Sequence, residues 1–263
     1  MIGADLFGRI AAPDGAGWAA VLAAAFVGSF LGVLVRRVPE ERPILWARSR
    51  CEACDTALQP RDLVPLVSWL ATGGRCRFCH RPLGRFYPAI ELAGVAIAGV
   101  AAVCDHGAAV WLDCVLGWWL LALAWIDLRH WILPDRLTLP LVLAGLAAAA
   151  VFDRSSLVDR ALGAAVGYLA LRAVATLYRV LRGHEGLGSG DAKLLAASGA
   201  WVGAAALAQV VLIAAVAGLA AAALLRLGGI RLGLRSALPF GPFLALATWL
   251  VWMSLLPLPG GLG

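Results

Sequence analysis

Apolar runs of roughly 14 to 19 residues, separated by short polar breaks, occupy most of the chain, and most are about long enough to cross a hydrocarbon core as a helix. They fall at 18–35, 88–103, 110–126, 137–152, 161–178, 194–207, 208–225 and 238–256. The pattern predicts an all-α, polytopic membrane protein with about eight transmembrane helices. The division between the sixth and seventh is the weakest feature of this map, because 194–225 is almost unbroken apart from Gln209 and fits either a short turn or one long bent helix. The only long polar stretch is 36–87. Three regions follow: an N-terminus and first span over 1–35, an extramembrane loop over 36–87, and a membrane core over 88–263.

Composition agrees with the pattern. The chain is 62% hydrophobic and only 14% charged, which excludes a lone soluble domain. Charge placement orients the spans. Of the 22 Lys and Arg, 18 fall on one side if the N-terminus starts outside: ten between Arg36 and Arg85, then Arg129, Arg136, Arg179, Arg182, Lys193, Arg226, Arg231 and Arg235. Arg9, Arg154 and Arg160 fall on the other, and Arg172 lies inside the fifth span. Basic loops stay in the cytoplasm, so both termini are expected on the outer side of the membrane. A basic face beside anionic lipid accounts for the net charge of +6 and the pI near 9.4 without nucleic acid. The first span is read as a retained anchor, since Arg36 and Arg37 follow the apolar stretch and do not precede it.

The loop carries Cys51-Glu-Ala-Cys54 and, 21 residues later, Cys76-Arg-Phe-Cys79. Two such pairs at this spacing point to a four-thiolate zinc site, since zinc accepts sulfur and imposes no geometry that opposes a tetrahedron. The alternatives are four unlinked reduced thiols, and covalent haem attachment at Cys76-Arg-Phe-Cys79-His80. Haem leaves Cys51 and Cys54 without a role, and a cytoplasmic loop disfavours disulfides. Cys104 and Cys114, near the outer ends of two spans, read as buried apolar residues.

Charged residues in or beside spans are costly. Six acids qualify: Glu91, Asp113, Asp127, Asp135, Glu185 and Asp191. Asp113 reads as a cap or interfacial residue, and Glu91, about one turn into the second span, as a partner for a basic residue such as Arg85. Asp127 ends the third span, Asp135 precedes the fourth, and Asp191 follows Gly188-Ser-Gly190 at the start of the sixth, so all three meet at the inner edge. Asp191 alone could be a helix N-cap. Paired with a second aspartate in a poorly hydrated site it would share a proton, one carboxylate activating water while the other polarises a carbonyl. Gly188 and Gly190 would then let a substrate backbone come close.

With these residues assembled, the chain resembles the type IV prepilin peptidases, bacterial membrane aspartic peptidases of the Gly-x-Gly-Asp type. The resemblance runs through GSFLGVLVRRVP at 28–39, the cysteine loop, RFYPAIEL at 85–92, WIDLRHWILPDRLTLP at 125–140 and EGLGSGDAKLLAASGAWVG at 185–203. It implies Asp127 and Asp191 as the catalytic pair, with Asp135, Gly188, Gly190, Lys193 and Glu91 in supporting positions. It also implies a cytoplasmic zinc loop held by Cys51, Cys54, Cys76 and Cys79. The substrates it implies are prepilins or type II secretion pseudopilins, cut after a glycine, and the new N-terminus is often methylated from S-adenosylmethionine. The chain departs from the family pattern at Gly32, Arg36 and Leu187, where Asn, Tyr and Met are common; the first two lie in the segment associated with the methyltransferase half.

Two rival classes were weighed. A proton or cation transporter needs acids at mid-span depth and a pair of broken helices in matching halves; here the acids gather at one edge. A membrane-anchored zinc module docking a cytoplasmic partner explains the cysteines but leaves the aspartates without a role.

Overall fold

The computed structural model describes residues 12–44, 48–183, 188–229 and 238–255. Arg9, Glu185, Leu187, Arg231, Arg235 and Leu256 lie outside the described residues. Among those described, the regular structure is helical, with only two isolated bridges of extended pairing, as the apolar pattern predicts. Among the described residues, eight apolar helices of 14 residues or more occur: α1 (Gly15–Arg37), α2 (Phe86–Cys104), α3 (Ala108–His130), α4 (Asp135–Phe152), α5 (Leu157–Arg182), α6 (Ser189–Val202), α7 (Leu207–Leu227) and α8 (Gly241–Leu255). Six are long and apolar enough to cross a membrane. The other two, α6 with 14 residues and α8 with 15, are shorter.

The chain forms two compact units divided between Ala122 and Leu123, inside α3. In the first, α1 and α2 pack along their length. Close approach is possible because Gly28 faces the α2 backbone: a Cβ there would lie 2.7 Å from Glu91 Cα. Small residues at such a seam let helices gain dispersion contact where apolar burial alone gives no advantage over lipid. Asp14 caps α1 through Gly17 N–H (2.7 Å) and also accepts Gly107 N–H (2.8 Å) from the α2–α3 turn. These two donors hold its carboxyl below the usual carboxylate range. Trp118 Nε1 on α3 donates to Gly94 O on α2 at 2.9 Å. Asp113, expected as a cap, is instead fully buried in the second turn of α3, and Cys104 and Cys114 are buried as expected.

In the second unit, α6 is the central element. It packs against α4, α5, α7 and α8, and 11 of its 14 residues are buried. Its shortness fits that position, since neighbouring helices cover most of its surface. A Cβ on Gly163 of α5 would lie 2.6 Å from Gly199 O, and one on Gly167 would lie 2.6 Å from Leu195 O. Residues four apart on α5 thus meet residues four apart on α6 in reverse order, so the two helices are antiparallel and Asp191 falls level with residue 171. Polar groups inside this unit are paired: Ser198 and Thr248 hydroxyls lie 2.6 Å apart, and Trp201 Nε1 donates to Leu141 O at 3.0 Å. The unbroken apolar stretch 194–225 divides at Gly203, whose left-handed φ of 84° reverses the chain beside the Asp159 carboxylate. A residue with a Cβ would meet both backbone strain and that carboxylate there.

Candidate active site and cysteine cluster

Asp127 lies one turn before the end of α3. Beyond His130, Trp131 takes a left-handed φ of 58°, and its N–H bonds to Asp127 O at 3.0 Å. That conformation is usual for glycine after a helix and costly for a bulky residue. It turns the chain so that Leu133 is buried and α4 starts at Asp135 after Pro134, whose fixed φ suits a helix entrance.

Asp191 is the third residue of α6. The N-cap position is Gly188, with no side-chain cap, so Asp191 does not cap the helix. Its carboxylate lies in the first turn, where the aligned peptide dipoles favour negative charge. Asp127 and Asp191 are 6% and 9% exposed, and close enough that charge on one acts on the other. Asp127 Oδ2 accepts the backbone N–H of Gly241, the first residue of α8, at 3.0 Å.

The remaining residues expected at this edge separate by environment. Asp135 is exposed and ion-paired with Lys193 across the starts of α4 and α6. The two glycines also differ. A Cβ on Gly190 would lie 2.9 Å from Leu133 Cβ, so the space it frees is filled by the protein's own side chain. Among the described residues, a Cβ on Gly188 would have only Asp191 Oδ2 (3.5 Å) and Gly190 N (4.0 Å) within 4 Å. Glu91 lies in the other unit. It is buried in α2, accepts Leu66 N–H from the loop at 2.8 Å and also bonds Ser29 of α1. A loop amide therefore takes the place for which Arg85 was the sequence candidate. Gly241 has no counterpart among the residues singled out by sequence. Its only signal is the Phe-Gly-Pro that opens the last apolar run.

The cysteines form two equivalent turns 25 positions apart. Asp55 N–H bonds Cys51 O and His80 N–H bonds Cys76 O, each at 2.9 Å, and Arg50–Ala57 and Arg75–Pro82 make matching antiparallel bridges. Asp55 and His80 both adopt left-handed φ, 53° and 56°. His80 thus occupies the turn position that Asp55 occupies in the other knuckle. The four sulfurs lie within 4.8 Å of one another, and Cys51 and Cys79 are 3.9 Å apart. A tetrahedron of thiolates about 2.3 Å from a zinc ion has edges of about 3.8 Å, so the cluster fits a metal of that size. Contacts with Thr56 pull the Cys54 thiol down to about 6, and backbone N–H groups of Cys79 and Phe78 lower Cys76. Four sulfurs this close cannot all ionise unless a cation lies among them. The loop is tied back to the helices by the Arg36–Glu52 ion pair. The Arg36 guanidinium also lies over the rings of Phe86 (4.9 Å) and Tyr87 (4.6 Å).

Two buried aspartates on helices of a polytopic protein are what a membrane aspartic peptidase requires, and comparison with known proteins gives the family. Residues 22–104 match the bacterial peptidase A24 N-terminal domain, and residues 114–223 match the type IV leader peptidase family. The chain is 42% identical over 252 residues to a prepilin leader peptidase/N-methyltransferase of Burkholderia pseudomallei, covering 86% of this chain and 81% of that protein. Proteins of the same name from Pseudomonas aeruginosa (37% identical, 88% and 89% covered) and Aeromonas hydrophila (36%, 86% and 87%) are also similar. No solved structure matches. The chain belongs to the type IV leader peptidase family.

Proposed function

We propose that this chain removes the basic leader of type IV prepilins or type II secretion pseudopilins at the cytoplasmic edge of the bacterial inner membrane, with Asp127 and Asp191 as its catalytic pair. The observation that supports this reading is that these two buried carboxylates, at the end of α3 and the start of α6, lie near enough for charge on one to act on the other. Asp135, exposed and paired with Lys193, has the environment of a supporting residue.

One carboxylate, ionised, takes a proton from water as the water oxygen bonds to the scissile carbonyl carbon; the other, protonated, gives its proton to the carbonyl oxygen. The tetrahedral diol then collapses: the carboxyl that took the water proton gives it to the departing nitrogen as the C–N bond breaks, and the other carboxylate takes a proton back from a diol hydroxyl, which restores the one-proton pair and leaves a carboxylic acid. Burial makes the shared proton effective, because two close carboxylates in a poorly hydrated site cannot both ionise readily. Open space at Gly188 admits an extended peptide where its residue before the cut is small. Cleavage is therefore expected after a glycine, with a large apolar residue next, and to fail when that glycine is bulky.

In the same reading, residues 36–87 form a cytoplasmic loop in which Cys51, Cys54, Cys76 and Cys79 hold zinc. The ion would supply cross-linking between the two knuckles. The termini face the periplasm, placed there by the 18 basic residues on the opposite side. Methylation of the new N-terminus, with S-adenosylmethionine as donor, is the second half of the reading. Co-expression with a prepilin and mass measurement of the mature N-terminus tests both halves. A product beginning after the glycine supports the peptidase, and a methylated amine supports the transferase; an uncut leader overturns the first, an unmodified amine the second.

A further inference from the structure

The amide that holds Asp127 comes from a glycine whose need is spatial. Gly241 N–H donates to Oδ2 at 3.0 Å. A Cβ at this position would stand 2.6 Å from Oδ2, 3.0 Å from Cγ and 3.3 Å from Cβ of Asp127. Real Cβ atoms do not approach that closely, and a carboxyl one bond from the α3 backbone has little room to swing away. Gly241 does not have the left-handed φ that seven other glycines have, so its backbone would accept any residue. The atoms nearest to a side chain placed there all belong to the aspartate. As the first residue of α8, Gly241 also turns a free helix-start amide toward the carboxylate, an end at which negative charge is favoured.

We propose that Gly241 is a positioning residue for Asp127: its N–H fixes Oδ2 and its missing side chain gives the carboxyl its place, leaving Oδ1 to exchange the proton with water. The proposal rests on the reading of Asp127 as catalytic. It adds Gly241 alone of α8 to the residues that position the pair, although α8 contributes neither aspartate.

The experiment combines Gly241→Ala with Asp127→Ala in a double-mutant cycle on purified protein, reading thermal midpoint and, where Asp127 is intact, kcat and KM on a prepilin. Pro242→Ala is the control on the same helix end, and Asp127→Asn is assayed beside it. Gly241→Ala should lower the midpoint in the wild-type background and leave it unchanged once the Asp127 carboxyl is gone. It should also lower kcat by about 10²-fold, the loss expected of a displaced catalytic group, with KM within about threefold, while Pro242→Ala changes neither. Equal destabilisation in both backgrounds, or loss appearing in KM alone, overturns the proposal. Strong coupling in the midpoint together with an active Asp127→Asn overturns the catalytic reading of Asp127 and the positioning role with it.

Discussion

Glu91 and Asp127 invite comparison because each is a carboxylate buried in an apolar helix and each accepts one backbone N–H. In the first unit Glu91 is met by Leu66 N–H and Ser29, and two other charged groups there also have partners: Arg36 with Glu52, Asp14 with two amides. The acid there holds a loop onto a helix pair. In the second unit Asp127 lies near enough to Asp191 for charge on one to act on the other. Burial by itself therefore does not mark chemistry; a buried acid placed against a second acid does, because that arrangement costs stability unless a proton is shared.

The largest effect expected from this contrast is at the pair. Asp127→Asn and Asp191→Asn should each lower leader cleavage by roughly 10²–10⁴-fold, the range for loss of a general acid or base, with membrane levels unchanged on immunoblots. Retained activity in either variant would remove the distinction between the units.

Packing gives the next effect. Gly199→Val forces a branched side chain into the α5 backbone and should destabilise the second unit by about 1–3 kcal/mol or more, read as a lower thermal midpoint in detergent. The cysteine loop is expected to respond separately. Cys51→Ser with Cys54→Ser should abolish bound zinc by elemental analysis and expose the loop to protease, while cleavage stays within about tenfold of wild type because no thiolate belongs to the aspartate site. Loss of cleavage as complete as in Asp191→Asn would make the metal part of the reaction.

The smallest effects fall on acids that already have partners. Glu91→Gln keeps an acceptor for Leu66 N–H and should cost about 1 kcal/mol, seen as faster proteolysis at residues 60–71. Asp135→Asn should cost about 1 kcal/mol or less, as exposed ion pairs do, with cleavage reduced only a few-fold. A loss at Asp135 equal to that at Asp127 would reverse their roles.

Much of this organisation was legible in sequence. Each apolar run corresponds to a helix because lipid and core both select the same side chains, but only six of the eight are long and apolar enough to cross a membrane. The cysteine spacing gave the cluster because each knuckle is local. The turn at Gly203 was not found, since it lies inside a run where hydropathy carries no contrast, and the break was expected four residues later. Glu91's partner was not legible either: Leu66 N–H is a backbone group 25 residues away, and every residue but proline offers one. Gly190 was read as room for substrate, and that room is taken by Leu133, a contact set by the left-handed Trp131. Gly241 was missed for the same kind of reason, its importance lying 114 residues distant in chain at Asp127.

The central claim is that two buried aspartates on α3 and α6 cut a prepilin leader, and the most direct measurement is the intact mass of a co-expressed prepilin. With the wild-type chain the account predicts a product beginning immediately after the leader glycine, and with Asp127→Asn or Asp191→Asn the full-length precursor at unchanged enzyme levels. A mature pilin produced by the Asp127→Asn/Asp191→Asn double variant, in cells lacking any other leader peptidase, would contradict it.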